Sequence, residues 1–148
     1  MHSDANIPKQ RKILRVGVIG SGAFVEQCHL PGLQSHPRAR VVAVCGRRFE
    51  HVRSLASRFN IPAIHCDYRE LLARSDIDAV TIATVNSEHA TQAIAAFAEG
   101  KHVFCEKPIS TDVMSARKML HAAERSGKIH QVAFTYRYLF GVQELRRR

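Results

Sequence analysis

Residues Ile13 to Gly32 read Ile-Leu-Arg-Val-Gly-Val-Ile-Gly-Ser-Gly-Ala-Phe-Val-Glu-Gln-Cys-His-Leu-Pro-Gly, and no other stretch restricts the fold as much. Ile13, Leu14, Val16, Val18 and Ile19 form an apolar, β-branched-rich run long enough for a buried strand. Gly20-Ser21-Gly22 follows with no polar linker. A glycine pair directly after a buried strand permits a tight turn, and the missing Cβ atoms let a phosphate approach the backbone. The next segment, from Ala23 and Phe24 to His29, can open a helix whose first free N–H groups point at that phosphate. The segment reads as the first strand–turn–helix of a dinucleotide-binding fold. The full pattern G-x-G-x-x-G/A is incomplete, because Gly20 and Gly22 fill the first two glycine positions and Val25 stands at the third. Alone, the segment also suits an ordinary tight strand–helix turn, so the rest of the chain has to decide.

A chain of 148 residues, 45% of them hydrophobic, favours one globular domain. Residues 1–12 lack an apolar stretch and read as a flexible tail rather than a secretory leader, with the domain proper at 13–148. No apolar run approaches the roughly 20 residues of a membrane span, so the expectation is a cytoplasmic protein with no membrane contact. Cys28, Cys45, Cys66 and Cys105 are widely spaced with no C-x-x-C pair, and the nine histidines form no ligand cluster, so no metal is expected. Cys45, Cys66 and Cys105 end or follow apolar runs, where a reduced cysteine behaves as a small hydrophobe. The net charge of +9 suits an anionic ligand and also nucleic acid. The charge is spread out, apart from Arg47-Arg48 and Arg146-Arg147-Arg148, and no aromatic–basic interleaving appears. Most of it reads as solvated surface, and nucleic acid is the least favoured partner.

Short apolar runs alternate with helical patterns along the chain. Strands are expected at 40–45, 61–66, 79–83, 102–105 and 129–134, in addition to the first. Helices are expected from Phe49 to Phe59, from Tyr68 to Arg74 with Asp67 as cap, and up to Ala98 with Asn86 or Ser87 as cap. A further helix opens at Ser110 or Thr111 and stops at Gly127, and Gly141 to Arg148 begins another. Pro62 argues that the third strand starts late or at an edge. Strict alternation predicts an α/β fold, a doubly wound parallel six-stranded Rossmann sheet in the order 3-2-1-4-5-6 with helices on both faces. Ligands of such sheets lie beyond the carboxyl ends of the strands, where Gly20 to Phe24, Gly46 to Arg48, Ala83 to Asn86 and Glu106 to Pro108 all fall.

The end of the second strand carries the cofactor choice. An NAD-preferring site places an acid there to accept from the ribose 2′-hydroxyl. This chain has Gly46, Arg47 and Arg48, and two arginines can form charge-assisted, fork-shaped contacts to a 2′-phosphate. NADP is therefore expected, with NAD as the alternative. Thr84, Asn86 and His89 follow the fourth strand and can line the nicotinamide side, although a lone histidine often serves packing or capping. At the end of the fifth strand, Lys107 can hydrogen-bond a substrate hydroxyl or carbonyl and exchange a proton with it. Glu106 can hold its charge or contact the ribose, and the bland reading is a surface ion pair of little worth.

Together, Val16-Gly-Val-Ile-Gly-Ser-Gly-Ala, His29-Leu-Pro, Asp67-Tyr-Arg-Glu-Leu-Leu, Asp78-Ala-Val-Thr-Ile-Ala-Thr, Asn86 to His89, Gly100-Lys-His-Val-Phe-Cys-Glu-Lys-Pro and Phe134-Thr-Tyr-Arg-Tyr resemble the glucose–fructose oxidoreductase / inositol dehydrogenase (Gfo/Idh/MocA) family. The resemblance covers nearly the whole chain after the tail. It implies an NAD(P)-dependent oxidoreductase acting on CH–OH groups of sugar- or polyol-like substrates. It implies that Lys107 is the catalytic lysine at substrate and nicotinamide, that Glu106 and Pro108 complete its motif with a Lys–Pro bond often cis, and that Arg137 lies near the cleft. Two positions depart from the pattern. Val25 replaces a small residue, and Val85 replaces the proline common before the asparagine. The resemblance also implies a second, substrate-binding domain that this sequence lacks. The chain is thus expected to be incomplete for turnover alone and to associate with itself or a partner chain, possible as a non-catalytic dinucleotide-binding module.

Overall fold

A computed structural model describes residues 12–147; the expected tail therefore lies outside the described residues except for Lys12. Six parallel strands, β1 (Leu14–Ile19), β2 (Ala39–Cys45), β3 (Ala63–His65), β4 (Ala79–Ile82), β5 (His102–Cys105) and β6 (His130–Val132), form one sheet in the order β3-β2-β1-β4-β5-β6. This is the doubly wound order expected from the alternation of strands and helices. Helices α1 (Leu30–Ser35), α2 (Phe49–Arg58), α3 (Tyr68–Leu72), α4 (His89–Ala98), α5 (Val113–Ser126) and α6 (Phe140–Arg147) connect and follow the strands.

Alternate side chains of the central strand feed two separate cores. Val18 joins Val25, Leu30, Val44, Val52 and Leu55, whereas Ile19 joins Ile82, Ala93, Phe97 and Met119 on the other side. A strand buried on both faces has to read as a continuous apolar run, which is why the runs in the sequence located the strands so well. β2 carries one extra residue against β1, since Val16 pairs with Val41 and Gly17 with Ala43. The edge strands are shorter than expected. β3 starts only after Pro62 and is half-buried, and β6 ends at Val132.

Two caps differ from expectation. Asp112, not Ser110 or Thr111, caps α5 by accepting from the Ser115 N–H at 2.8 Å. Neither Asn86 nor Ser87 caps α4. A 3-10 turn at Asn86–Glu88 leads into it without a side-chain cap. Asp67 does cap α3, accepting from the Arg69 N–H at 2.9 Å, and Gly127 ends α5 with φ +62.

The bulk of Val25 is absorbed rather than rejected. Its side chain is fully buried among Val18, Leu30 and Val52, and a π turn (Val25–His29) begins there, closed by Leu30 N–H on the Val25 carbonyl. Cys45 and Cys105 are buried as small hydrophobes, and burial pushes each thiol up to about 12. Cys66 is exposed instead, because it lies just past the edge strand β3.

Candidate functional site: the carboxyl edge of the sheet

The loops after β1, β2, β4 and β5 meet at one edge of the sheet. Gly20 donates its N–H to the Cys45 carbonyl at 2.8 Å and has φ +125. A Cβ there would lie 2.3 Å from the Ala83 carbonyl oxygen, so only glycine lets the β1 turn close against the β4 strand end. Gly22 is exposed, and a Cβ on it would meet nothing within 4 Å. Together with exposed Ala23 and Phe24, it forms an open shelf of backbone over which a ligand can approach. His51, on α2, stands with Nε2 2.5 Å from the Ser21 carbonyl oxygen and pins the turn from the β2 side. Nothing in the spacing of His51 distinguishes it from the other histidines, and the sequence reading missed it.

Gly46 is fitted closely against the same turn. A Cβ there would stand 2.4 Å from Ser21 Oγ and 2.8 Å from Val52 Cγ2. The end of β2 therefore carries no acid and has no space for one in this arrangement. Arg47 and Arg48 follow, both exposed. Among the described residues no carboxylate pairs with either, and nearby Glu50 pairs with Arg53 at 2.6 Å instead.

Beyond β4, Thr84 Oγ1 donates to Gln92 Oε1 at 2.7 Å, so its hydroxyl is turned towards α4. Val85 has φ −73, inside the range a proline ring imposes, so the loop keeps the backbone direction that the family's proline would set. Asn86 is exposed in the 3-10 turn. His89 is 1% exposed, with Nδ1 2.7 Å from the Pro108 carbonyl oxygen and Nε2 3.2 Å from that of Thr84. It reaches the cleft through the two loops it ties together, not with a surface of its own.

At the end of β5, Glu106 donates its N–H to the Ile82 carbonyl at 2.9 Å, and the Lys107–Pro108 peptide is cis. The Lys107 side chain is exposed at the cleft, and Pro108 beside it is exposed too. Glu106 and His29 are each only 8% exposed and meet at 3.0 Å, Nε2 to Oε1. Burial pushes His29 below the ordinary histidine value, while the Glu106 carboxylate pulls the other way. The Phe24 and Phe104 rings pack edgewise on the imidazole, with centroids 5.2 and 5.9 Å away. Arg137 lies on an exposed 3-10 turn (Thr135–Tyr138), and among the described residues no hydrogen bond or ion pair joins its side chain to the other site residues.

The residues fit a dinucleotide. A left-handed glycine holds the first turn and a bare glycine opens it, while cationic side chains flank it at Arg47, Arg48 and Lys107. Gly20 to Val25 would hold the pyrophosphate, Gly46 to Arg48 the adenosine ribose, and the loops at Thr84 to Asn86 and Glu106 to Pro108 the nicotinamide side. Among the described residues no three His, Cys, Asp or Glu side chains converge to hold a metal ion, and no helix is long and apolar enough to cross a membrane.

This fold and edge define a Rossmann-type dinucleotide-binding domain. Residues 14–134 match the family model described as "Oxidoreductase family, NAD-binding Rossmann fold", and the chain belongs to the Gfo/Idh/MocA family. It is 35% identical over 136 residues to an inositol 2-dehydrogenase/D-chiro-inositol 3-dehydrogenase of Shouchella clausii, covering 90% of this chain and 39% of that protein. Among solved structures it resembles a myo-inositol 2-dehydrogenase from Lactobacillus plantarum, with a TM-score of 0.87, 25% identity and coverage of 92% of this chain and 40% of that one. It also resembles a 3-ketoreductase from Actinomadura kijaniata in complex with TDP-benzene and NADP, with a TM-score of 0.85, 30% identity and coverage of 90% and 42%. The chain spans 37 to 40% of the length of the curated relatives it matches.

Proposed function

We propose that this chain is the NADP(H)-binding domain of an oxidoreductase acting on a sugar- or polyol-like substrate, and that it is incomplete for turnover alone. The end of β2 carries the cofactor choice. Gly46 occupies the place of the acid that receives a ribose 2′-hydroxyl, and the exposed cations Arg47 and Arg48, which pair with no carboxylate among the described residues, follow it. A bound nicotinamide supplies the hydride chemistry. Lys107 would donate a hydrogen bond to the substrate oxygen and stabilise charge there, and Glu106 would keep the lysine backbone in place from behind. The relatives named as inositol dehydrogenases support a polyol-like substrate, and the relative solved with NADP supports the phosphorylated cofactor.

The test is a calorimetric titration with NADPH and then NADH. NADPH should bind more tightly, and Arg47→Ala with Arg48→Ala should weaken NADPH binding by about 10- to 100-fold while changing NADH binding by less than about threefold. Equal losses for the two dinucleotides would sink the 2′-phosphate assignment and leave NAD as the cofactor.

A non-catalytic dinucleotide-binding module that associates with itself or a partner chain is the second reading. The observation that favours it is the run of exposed apolar side chains at Phe134, Tyr136, Tyr138, Phe140 and Leu145. Hydride transfer to any polyol by the chain by itself would exclude it.

A further inference from the structure

The Glu106 carboxylate is buried, and its two oxygens have different partners. Oε1 meets His29 Nε2 at 3.0 Å, and Oε2 accepts from the Lys107 N–H at 3.2 Å. An acid only 8% exposed has few other routes to satisfaction, so these two contacts fix its rotamer. The Lys107 side chain is exposed, and among the described residues no hydrogen bond or ion pair holds its ammonium group, so its placing falls to the backbone of 106–108. That backbone is anchored at Glu106 N–H on Ile82, at Lys107 N–H on Glu106, and at the Pro108 carbonyl on His89. His29 lies 77 residues away in sequence, on the π turn after the glycine loop. Its bond to Glu106 therefore ties the phosphate-side turn to the lysine strand end.

We propose that His29 is a positioning residue: by hydrogen-bonding Glu106 it fixes the carboxylate that receives the Lys107 amide, and so sets where Lys107 stands in the cleft. This rests on the reading that Lys107 faces a bound dinucleotide. A carboxylate oxygen only accepts, so His29 Nε2 carries the proton of this bond and donates it to Glu106 Oε1. Two aromatic rings hold the imidazole plane, which gives the bond one geometry. Without His29 the carboxylate turns towards water and releases the Lys107 N–H.

The experiment compares His29→Phe, His29→Gln and Glu106→Gln with the unaltered 148-residue chain. Phenylalanine suits the aromatic surroundings but cannot donate, whereas the glutamine amide nitrogen takes the place of Nε2. Two quantities are read, the amide proton resonance of Lys107 in an ¹⁵N correlation spectrum and the NADPH dissociation constant. In His29→Phe and in Glu106→Gln the Lys107 amide should move upfield, and NADPH binding should weaken roughly tenfold. In His29→Gln both should return most of the way. A folded His29→Phe whose Lys107 amide stays in place overturns the proposal, as do equal effects of Phe and Gln. If His29→Phe does not fold, Glu106→Gln and His29→Gln decide by the same resonance. If the unaltered chain binds neither NADPH nor NADH, the cofactor reading falls, and the amide resonance still decides the role of His29.

Discussion

Gly46 shows how much one missing side chain can determine. The sequence places it where an acid would select NAD, and its absence argues for a phosphorylated ribose. The structure adds that the space is already taken, since Ser21 Oγ and Val52 Cγ2 stand within 3 Å of any Cβ at that position. Gly46→Asp should therefore cost about 2 kcal/mol or more in urea unfolding, and it should not convert the site to NADH. Unchanged stability together with a new NADH preference would show that the Ser21 turn yields easily. Gly20 was legible for the opposite reason, because a glycine directly after a buried strand announces its own backbone geometry. His29, His51 and His89 were not legible in this way. His29 and His51 have partners 77 and 30 residues away, and His89 reaches Pro108 19 residues on as well as Thr84 five residues back, and no local spacing reports on the long separations.

The central strands β1, β2 and β4 were readable because they are buried on both faces and so are largely apolar. Their ends were less so, since edge strands and caps depend on single side chains and neighbours. The start of β4 is held to β1 by Asp78, which accepts from the Arg15 N–H at 2.9 Å and from its guanidinium at 3.0 and 2.9 Å. These bonds, the guanidinium contact foremost, hold the Asp78 carboxyl well below the usual carboxylate range. A carboxyl with a depressed folded-state value stabilises the fold above its unfolded value near 4, and that contribution is lost as pH falls below it. Asp78→Asn should lower the melting temperature at pH 7 by about 3–6 °C and flatten the loss of stability between about pH 4 and 2. Thermal melts across that range check this, and parallel curves for the two proteins would remove Asp78 from the acid response. At the same amino edge of the sheet, buried Lys101 donates to the carbonyls of Arg74 and Ile77 at 2.7 and 3.1 Å and closes the loop before β4. Neither tie touches the cleft, and both fix the strand from which the Thr84 loop departs.

At the scale of the whole molecule, the two cores cover the sheet through α1 and α2 on one side and α3 to α5 on the other. The segment after β6 stands apart. Tyr136 is 77% and Phe140 79% exposed, and the apolar residues of α6 are exposed as well. Apolar surface of this kind favours association. Sedimentation over a range from about 5 to 200 μM should show a mass that rises with concentration, and Phe140→Asp with Leu145→Asp should hold the protein at 16.6 kDa. A constant 16.6 kDa in the unaltered chain would reject self-association.

The sequence by itself determined the fold class, the strand order and the four loops of the cleft. A doubly buried strand must be a continuous apolar run, and a turn that only glycine can make must contain glycine. Both are local demands, and they leave local marks. The tertiary structure alone decided which side chains stand behind those loops. His29 on Glu106, His89 on Pro108, and Ser21 against Gly46 are contacts between loops of different strands that become neighbours only when the sheet forms. Hydrogen bonds of that kind are set by distance in space, and a chain read one residue at a time carries no trace of them.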